Sequence, residues 1–154
     1  MARRIFISYH HDDVDQAKGF NLLQWNQNVD IEFVGRHLIS PVDSDNDDYV
    51  RSKIREQIYG TSTTVVLIGD RTAESDWVDF EIRESLSRGH GVLGIRIKGD
   101  DNSTVPPALA EVGAKVIKWD PHSFSDEIEK THLIASRPQL GPPSSLSTSA
   151  GCGR

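Results

Sequence analysis

Cysteine is nearly missing from this chain of 154 residues: Cys152, third from the end, is the single one. A lone thiol builds neither an internal disulfide framework nor a thiolate zinc site, so nothing here calls for an oxidising compartment. Long apolar runs are missing as well. "MARR" is followed by only "IFI" before polar residues begin, too short for a signal peptide, and no stretch approaches the length that spans a membrane. A soluble, cytoplasmic protein with no membrane partner is the expectation, and on that expectation the glycosylation match at Asn102, "NST", has no consequence. Clustered positive charge is the third absence. Seventeen Lys and Arg stand against 23 Asp and Glu, the formal charge is -6 and the pI is near 5.4, with the bases scattered rather than gathered on one face. A nucleic-acid partner is therefore not expected.

What is present is an alternation. "RIFIS" (Arg4 to Ser8), "IEFV" (Ile31 to Val34), "TTVVLIG" (Thr63 to Gly69), "VLGIRI" (Val92 to Ile97) and "AKVIKW" (Ala114 to Trp119) read as strands. Several are too continuously apolar to leave one face in water, which suits a parallel sheet covered on both sides. Between them lie amphipathic helices, with Val50, Ile54 and Ile58 repeating every four residues in one and Val78, Ile82, Ser85 and Leu86 forming the apolar stripe of another. Asp12 or Asp13 is placed to cap the first helix, and Asp120 before Pro121 has the N-cap then N1-proline order for the last. The segment "STVPPALAEVG" leaves room for only a short or irregular helix after its prolines. This order predicts an α/β fold of the flavodoxin-like kind, a three-layer sandwich around a five-stranded parallel sheet. One domain over residues 1–135 is expected. The remainder, 136–154, carries three prolines, five serines and almost nothing to bury, so it reads as a disordered tail.

Ligands of open α/β sheets sit beyond the carboxyl ends of the strands. The residues there are "SYHHDD", "GRHLISPVDSDNDD", "GDRTAESDW" and "KGDDNS". After the third of these strands comes "SDWVDFEI", Ser75 to Ile82, where aromatic residues and acids alternate. One residue step on a helix turns about 100°, so Glu81 stands at the border of the face that buries Ile82. Ser75 reads as a helix cap, and Asp76 and Asp79 fall in the first turn, where negative charge is favourable.

Three other motifs fail on context. "GHGVLG", Gly89 to Gly94, has the dinucleotide-binding spelling but follows a helix and enters a strand, the reverse of the order a phosphate turn needs, and reads as a helix stop. "DSDNDD", Asp43 to Asp48, begins like a calcium loop, yet its sixth position is Asp48 and its twelfth Ile54, not glycine and glutamate. His10 and His11 are adjacent and His37 is distant, so no metal-ligand spacing is visible and no metal is expected. A phosphoreceiver reading is a lesser alternative. Asp12, Asp13 and Asp70 occupy roughly its acidic positions, but Lys98 and Gly99 stand where a hydroxyl residue is needed.

"RRIFISYHHDDVD" resembles the first box of Toll/interleukin receptor (TIR) domains. The region "VVLIGDRTAESDWVDFEIRESLSRGHGVLGIRI" is similar to the one that carries their S-x-W-C-x-x-E helix, here Ser75, Trp77, Val78 and Glu81. Val78 replaces the cysteine of the common motif. More specifically, F-x-S-aromatic-His, "VLIG", "WV-x-aromatic-E-I" and "GI-x-I" together resemble the TIR-like sensor subunit of bacterial Thoeris antiphage systems, over roughly residues 3–98. What the resemblance implies is an enzyme that cleaves the nicotinamide–ribose bond of NAD, taken as a substrate with no separate cofactor, and that makes an ADP-ribose-derived signal, linear or cyclic. The chemistry asks for one carboxylate to steady an oxocarbenium-like ribosyl centre and orient its hydroxyls. Glu81 is that group on this reading. Trp77 and Phe80 shield it, Phe6 and Tyr9 stack on a nucleotide ring, and Ser8 and His10 offer hydrogen bonds near the mouth. The resemblance further implies self-association through the domain and a downstream effector reached through the nucleotide product. Its rival is a catalytically silent TIR-like module that works by homotypic binding alone.

Overall fold

The structure, a computed structural model, describes residues 4–25, 47–98 and 102–135. Strand β1 covers Ile5–Ser8 and leads through a 3₁₀ turn at His11–Asp13 into α1, Val14–Leu22, with a further turn at Leu23–Trp25. Helix α2 covers Asp47–Tyr59, β2 Thr63–Ile68, and a turn at Thr72–Glu74 precedes α3, Asp76–Ser87. Strand β3 covers Gly91–Arg96, α4 Pro107–Glu111, β4 Val116–Lys118 and α5 Pro121–Ala135. All pairings are parallel and the spatial order is β1-β2-β3-β4, with Ser8 opposite Val66, Val66 opposite Gly94 and Gly94 opposite Val116. The sheet described has four strands where five are expected, because the segment 31–34 lies outside the described residues, as does 136–154.

The continuous apolar runs are explained by two covered faces. Strand β2 buries all six residues. Val65 and Leu67 join Ile5, Ile7, Leu93 and Ile95 against Ala17 and Phe20 of α1 and Phe124 and Ile128 of α5. Val66 and Ile68 point the other way, with Val92, against Val78 and Ile82 of α3 and Ala108 and Leu109 of α4. Phe6 packs on that second side with Val50, Ile54 and Ile58 of α2. Helices on both sides of a parallel sheet make the three-layer α/β sandwich.

Helix ends follow the chemistry of their residues with one difference. Ser75 caps α3 through its Oγ, which accepts from Val78 N at 3.2 Å. At the other end Gly89 takes φ +76°, and two hydrogen bonds, Gly89 N to Leu86 O and His90 N to Ser85 O, both 3.0 Å, close the helix. That left-handed stop needs glycine, and it is why "GHGVLG" ends a helix. Asp120 Oδ1 accepts from His122 N at 3.2 Å ahead of Pro121, and α4 is five residues long, both as expected. The first helical turn differs. Neither Asp12 nor Asp13 caps it by its side chain; His10 Nδ1 accepts from Asp12 N at 3.0 Å, the side chain nearest the free amide.

Phe124 is fully buried, with Phe20 and Trp119 each 5.3 Å away between ring centroids. Phe124→Ala is expected to destabilise the fold by about 3–5 kcal/mol, read from the urea midpoint, whereas Ile134→Ala, at an exposed position, changes it by less than about 0.5 kcal/mol.

Candidate functional site

Strand β1 alternates its side chains. Ile5 and Ile7 enter the core beside α1 and α5, so Phe6 and Ser8 face α2 and α3. Ser8, the last residue of β1, reaches the carboxyl edge fully buried and donates its hydroxyl to Glu81 Oε1 at 2.5 Å. Glu81 is 7% exposed on the sheet-facing side of α3, next to Ile82. Burial holds its carboxyl proton far more tightly than usual, to a pKa of about 8, and the Ser8 hydrogen bond pulls back only part of that. A glutamate at a helix border is usually a solvated charge; this one is inside.

One turn lower on α3 a second polar pair crosses to the sheet. Ser85 Oγ lies 2.7 Å from Thr64 Oγ1 and 2.8 Å from the Glu81 carbonyl oxygen to which it donates. Both are buried. Tyr9 is half-buried against the opposite face of β1, and its hydroxyl is pushed up to about 12, first by burial and then by the charge of Glu81. It stays a donor at any ordinary pH.

The remaining residues singled out from the sequence fall into two groups. Trp77 is 38% exposed and meets Phe80 edge-on, ring centroids 6.0 Å apart. Phe80 is partly buried against the α2 cluster, with the guanidinium carbons of Arg51 and Arg55 5.6 and 5.4 Å from its centroid. Trp77 stands one helical turn before Glu81, whereas Phe80 is turned about 100° from it, toward α2. Phe6 does not join them at an open surface. It is 0% exposed within the α2 cluster, and in this conformation neither ring face is available to a nucleotide. The physical reason is strand alternation, which sends Phe6 and Ser8 to one side and leaves Phe6 deeper.

His10 is 8% exposed and occupied as a cap. Its Nδ1 also lies 3.5 Å from Asp12 Oδ2, but the shorter contact, with a backbone N–H, makes Nδ1 an acceptor and leaves Nε2 to carry the proton of the neutral ring. His10, His11 and Asp12 bring ligand atoms within 4.8 Å of one another, a grouping made by the 3₁₀ turn and invisible in spacing. Nearby, Asp13 leans over Gly69: a Cβ built on Gly69 would lie 2.5 Å from Asp13 Oδ2, so a larger residue there displaces the Asp13 carboxylate. Thr72 Oγ1 accepts from Gly69 N at 2.8 Å and faces Asp13 Oδ2 at 3.5 Å. Asp70 is exposed and ion-paired to Lys98 Nζ at 2.5 Å. The contacts of Gly69 and Thr72, missed from the sequence, had a signal in the Gly-Asp-x-Thr spelling at the end of β2.

Residues 6–102 match the family model described as Thoeris protein ThsB, TIR-like domain. A Bacillus cereus (strain MSX-D12) protein named "Putative cyclic ADP-D-ribose synthase ThsB1" is 30% identical over 102 residues, 63% of this chain and 53% of its own length. The chain thus spans about half the length of that relative. Among solved structures, a TIR domain of the Toll-related receptor TRR-2 from Hydra magnipapillata is 16% identical with a TM-score of 0.47, over 84% of this chain and 91% of that one. A 3-dehydroquinate dehydratase-like protein from Bifidobacterium longum is 11% identical with a TM-score of 0.49, over 89% of this chain and 100% of that one. Among the described residues no helix is long and apolar enough to cross a membrane.

The raised pKa of Glu81 makes stability pH-dependent. The folded chain binds this proton more tightly than the unfolded one, so the contribution is complete below pH 4.5 and is lost as pH climbs toward 8, by about 1.4 kcal/mol per unit. Glu81→Gln keeps the shape without the charge. Its melting temperature is expected to overtake that of the wild type between pH 5 and 8; a difference that does not change with pH contradicts the burial of a titrating carboxyl.

Proposed function

This chain belongs to the Thoeris ThsB TIR-like domain family, and from that premise we propose that it cleaves the nicotinamide–ribose bond of NAD and releases an ADP-ribose-derived signal, linear or cyclic, in antiphage defence. The observation that carries the reading is the carboxylate of Glu81, held by Ser8 at the carboxyl end of β1 and flanked by Trp77 one helical turn away. The name of the Bacillus cereus relative supports the cyclising outcome.

The site's chemistry fits the reaction. Nicotinamide in NAD is a cationic leaving group: the C1′–N bond breaks, its electron pair returns to the pyridine nitrogen, and neutral nicotinamide departs without a general acid. The ribosyl carbon left behind gains positive charge. An anionic Glu81 in a low-dielectric setting opposes that charge strongly and accepts hydrogen bonds from the ribose hydroxyls. Water, or a nucleophilic atom of the same ADP-ribose, then closes the reaction at C1′ with loss of a proton.

A resting Glu81 with a pKa of about 8 is largely protonated at neutral pH. A cationic substrate favours the ionised form, so binding NAD expels the proton. Ser8 supplies the hydroxyl donor on the carboxylate, and His10 fixes the turn that follows it. Self-association belongs to the same reading: Glu81 is nearly closed off while Trp77 beside it is open, an arrangement in which a second copy completes the wall of the site. The product carries the signal to a downstream effector.

Incubation with NAD and mass spectrometry of the products test this. Wild-type protein, dilute and concentrated, is expected to release nicotinamide, and Glu81→Gln to lose about 10²–10³-fold in kcat. The ratio kcat/KM is expected to rise with pH along a limb centred near 8, the pKa of the free enzyme's carboxyl. No nicotinamide from either state of assembly would leave the silent interaction module as the function; acetyl-phosphate labelling of Asp70 would point to the receiver.

A further inference from the structure

Helix α2 feeds the start of β2, and α3 follows its end, so both helices begin at the carboxyl edge of the sheet. Between them is a cleft of about 210 Å³ lined by Arg51, Asp76, Trp77 and Phe80. Its cation is Arg51. Arg55 is paired with Glu84, Arg71 with Asp12 and Glu74, Arg83 with Asp79 and Glu111, and Lys98 with Asp70. Among the side chains the structure describes, no carboxylate pairs with Arg51, whose guanidinium carbon lies over the Phe80 ring, 5.6 Å from its centroid. A guanidinium held near a ring by cation–π attraction still has N–H donors suited to phosphate oxygens.

We infer that this cleft is the phosphate subsite of the nucleotide whose ribose lies at Glu81, with Arg51 as the anion-binding group and Trp77 as the wall beside it. The inference rests on the function proposed above. Trp77 precedes Glu81 by one helical turn, roughly 5.4 Å along the axis, and a ribose spans a comparable length from its anomeric carbon to its 5′-phosphate. A ribose with C1′ at Glu81 and its 5′ end directed toward the start of α3 therefore delivers the phosphate to the cleft. There the helix presents the positive end of its dipole and first-turn amides, one of which is taken by Ser75 Oγ. A chain of net charge -6 needs such a local reversal of sign to hold a dianionic diphosphate. Asp76 opposes it, since its exposed carboxylate lines the same cleft.

The test is titration of the full chain with ADP-ribose, which carries the diphosphate and lacks nicotinamide, followed by calorimetry. Arg51→Ala is expected to weaken binding about 10- to 100-fold, Arg51→Lys to restore part of it, and Asp76→Asn to tighten it. In turnover, Arg51→Ala is expected to raise KM for NAD while leaving the reaction of nicotinamide riboside, which has no phosphate, unchanged. Equal binding of ADP-ribose by wild type and Arg51→Ala, absence of binding by wild type, or an equal loss on NAD and the riboside overturns the assignment. A wild type that binds ADP-ribose through Arg51 yet releases no nicotinamide leaves the subsite standing and removes the catalytic reading.

Discussion

A carboxylate withdrawn from water is the constraint on which the carboxyl edge of this protein depends. Burying Glu81 disfavours its charged form, and a single hydroxyl, that of Ser8, answers it. The bond is directional, and so is the Thr64–Ser85 contact one turn below. Apolar packing of Val78 and Ile82 would tolerate a small rotation of α3, because it is non-directional. Two polar contacts to two different strands do not tolerate it, since a turn of the helix leaves buried oxygens unpaired. The helix is therefore held in the one rotation that keeps Glu81 at the end of β1.

From that rotation follows the layout of the neighbouring surface. With Glu81 inward, Trp77 and Phe80 fall along the side of α3 that meets α2 and the solvent. Phe80 draws Arg51 and Arg55 over its ring, which gives an acidic protein a patch of exposed guanidinium beside its buried acid. The substrate proposed for this chain, cationic at the bond to be broken and anionic at its phosphates, needs both signs at close quarters. The surface ion pairs elsewhere, such as Arg83 with Asp79 and Glu111, are exposed and contribute little to the fold. Their effect on the site is to occupy the other charges.

The opposite rim is tied down by smaller devices. His10 caps the turn after β1, and Thr72 joins the end of β2 to Asp13, with Gly69 leaving room for the carboxylate. These contacts fix the loops on either side of Ser8. A strand end that carries a hydrogen-bond donor for a buried acid is useful only if the chain leaving it stays in place, and here the turn that follows is held by the His10 ring, by the Asp13 N to His10 O bond and by Thr72 on Asp13.

Much of this was legible in the chain. The alternation of apolar runs and four-residue periodicity determined a parallel α/β sandwich, because covering both faces of a sheet demands that pattern. Ser75, Gly89 and Asp120 marked helix ends, since capping and left-handed stops are local chemistry. The spacing of Trp77 and Glu81 put both on one side of a helix. Other features were out of reach of any local reading. His10 displaced two aspartates as the cap because its ring happened to reach the Asp12 amide. Phe6 went into the core and Ser8 to the edge, two residues of one strand face separated by depth alone. Arg51 and Phe80 are 29 positions apart and met only when α2 lay beside α3. By itself the sequence determined the kinds of element and the place of Glu81 on its helix; the tertiary structure decided that this acid is buried, which hydroxyl it meets and which cation faces its neighbour. Those are distances between segments remote along the chain, and packing alone sets them.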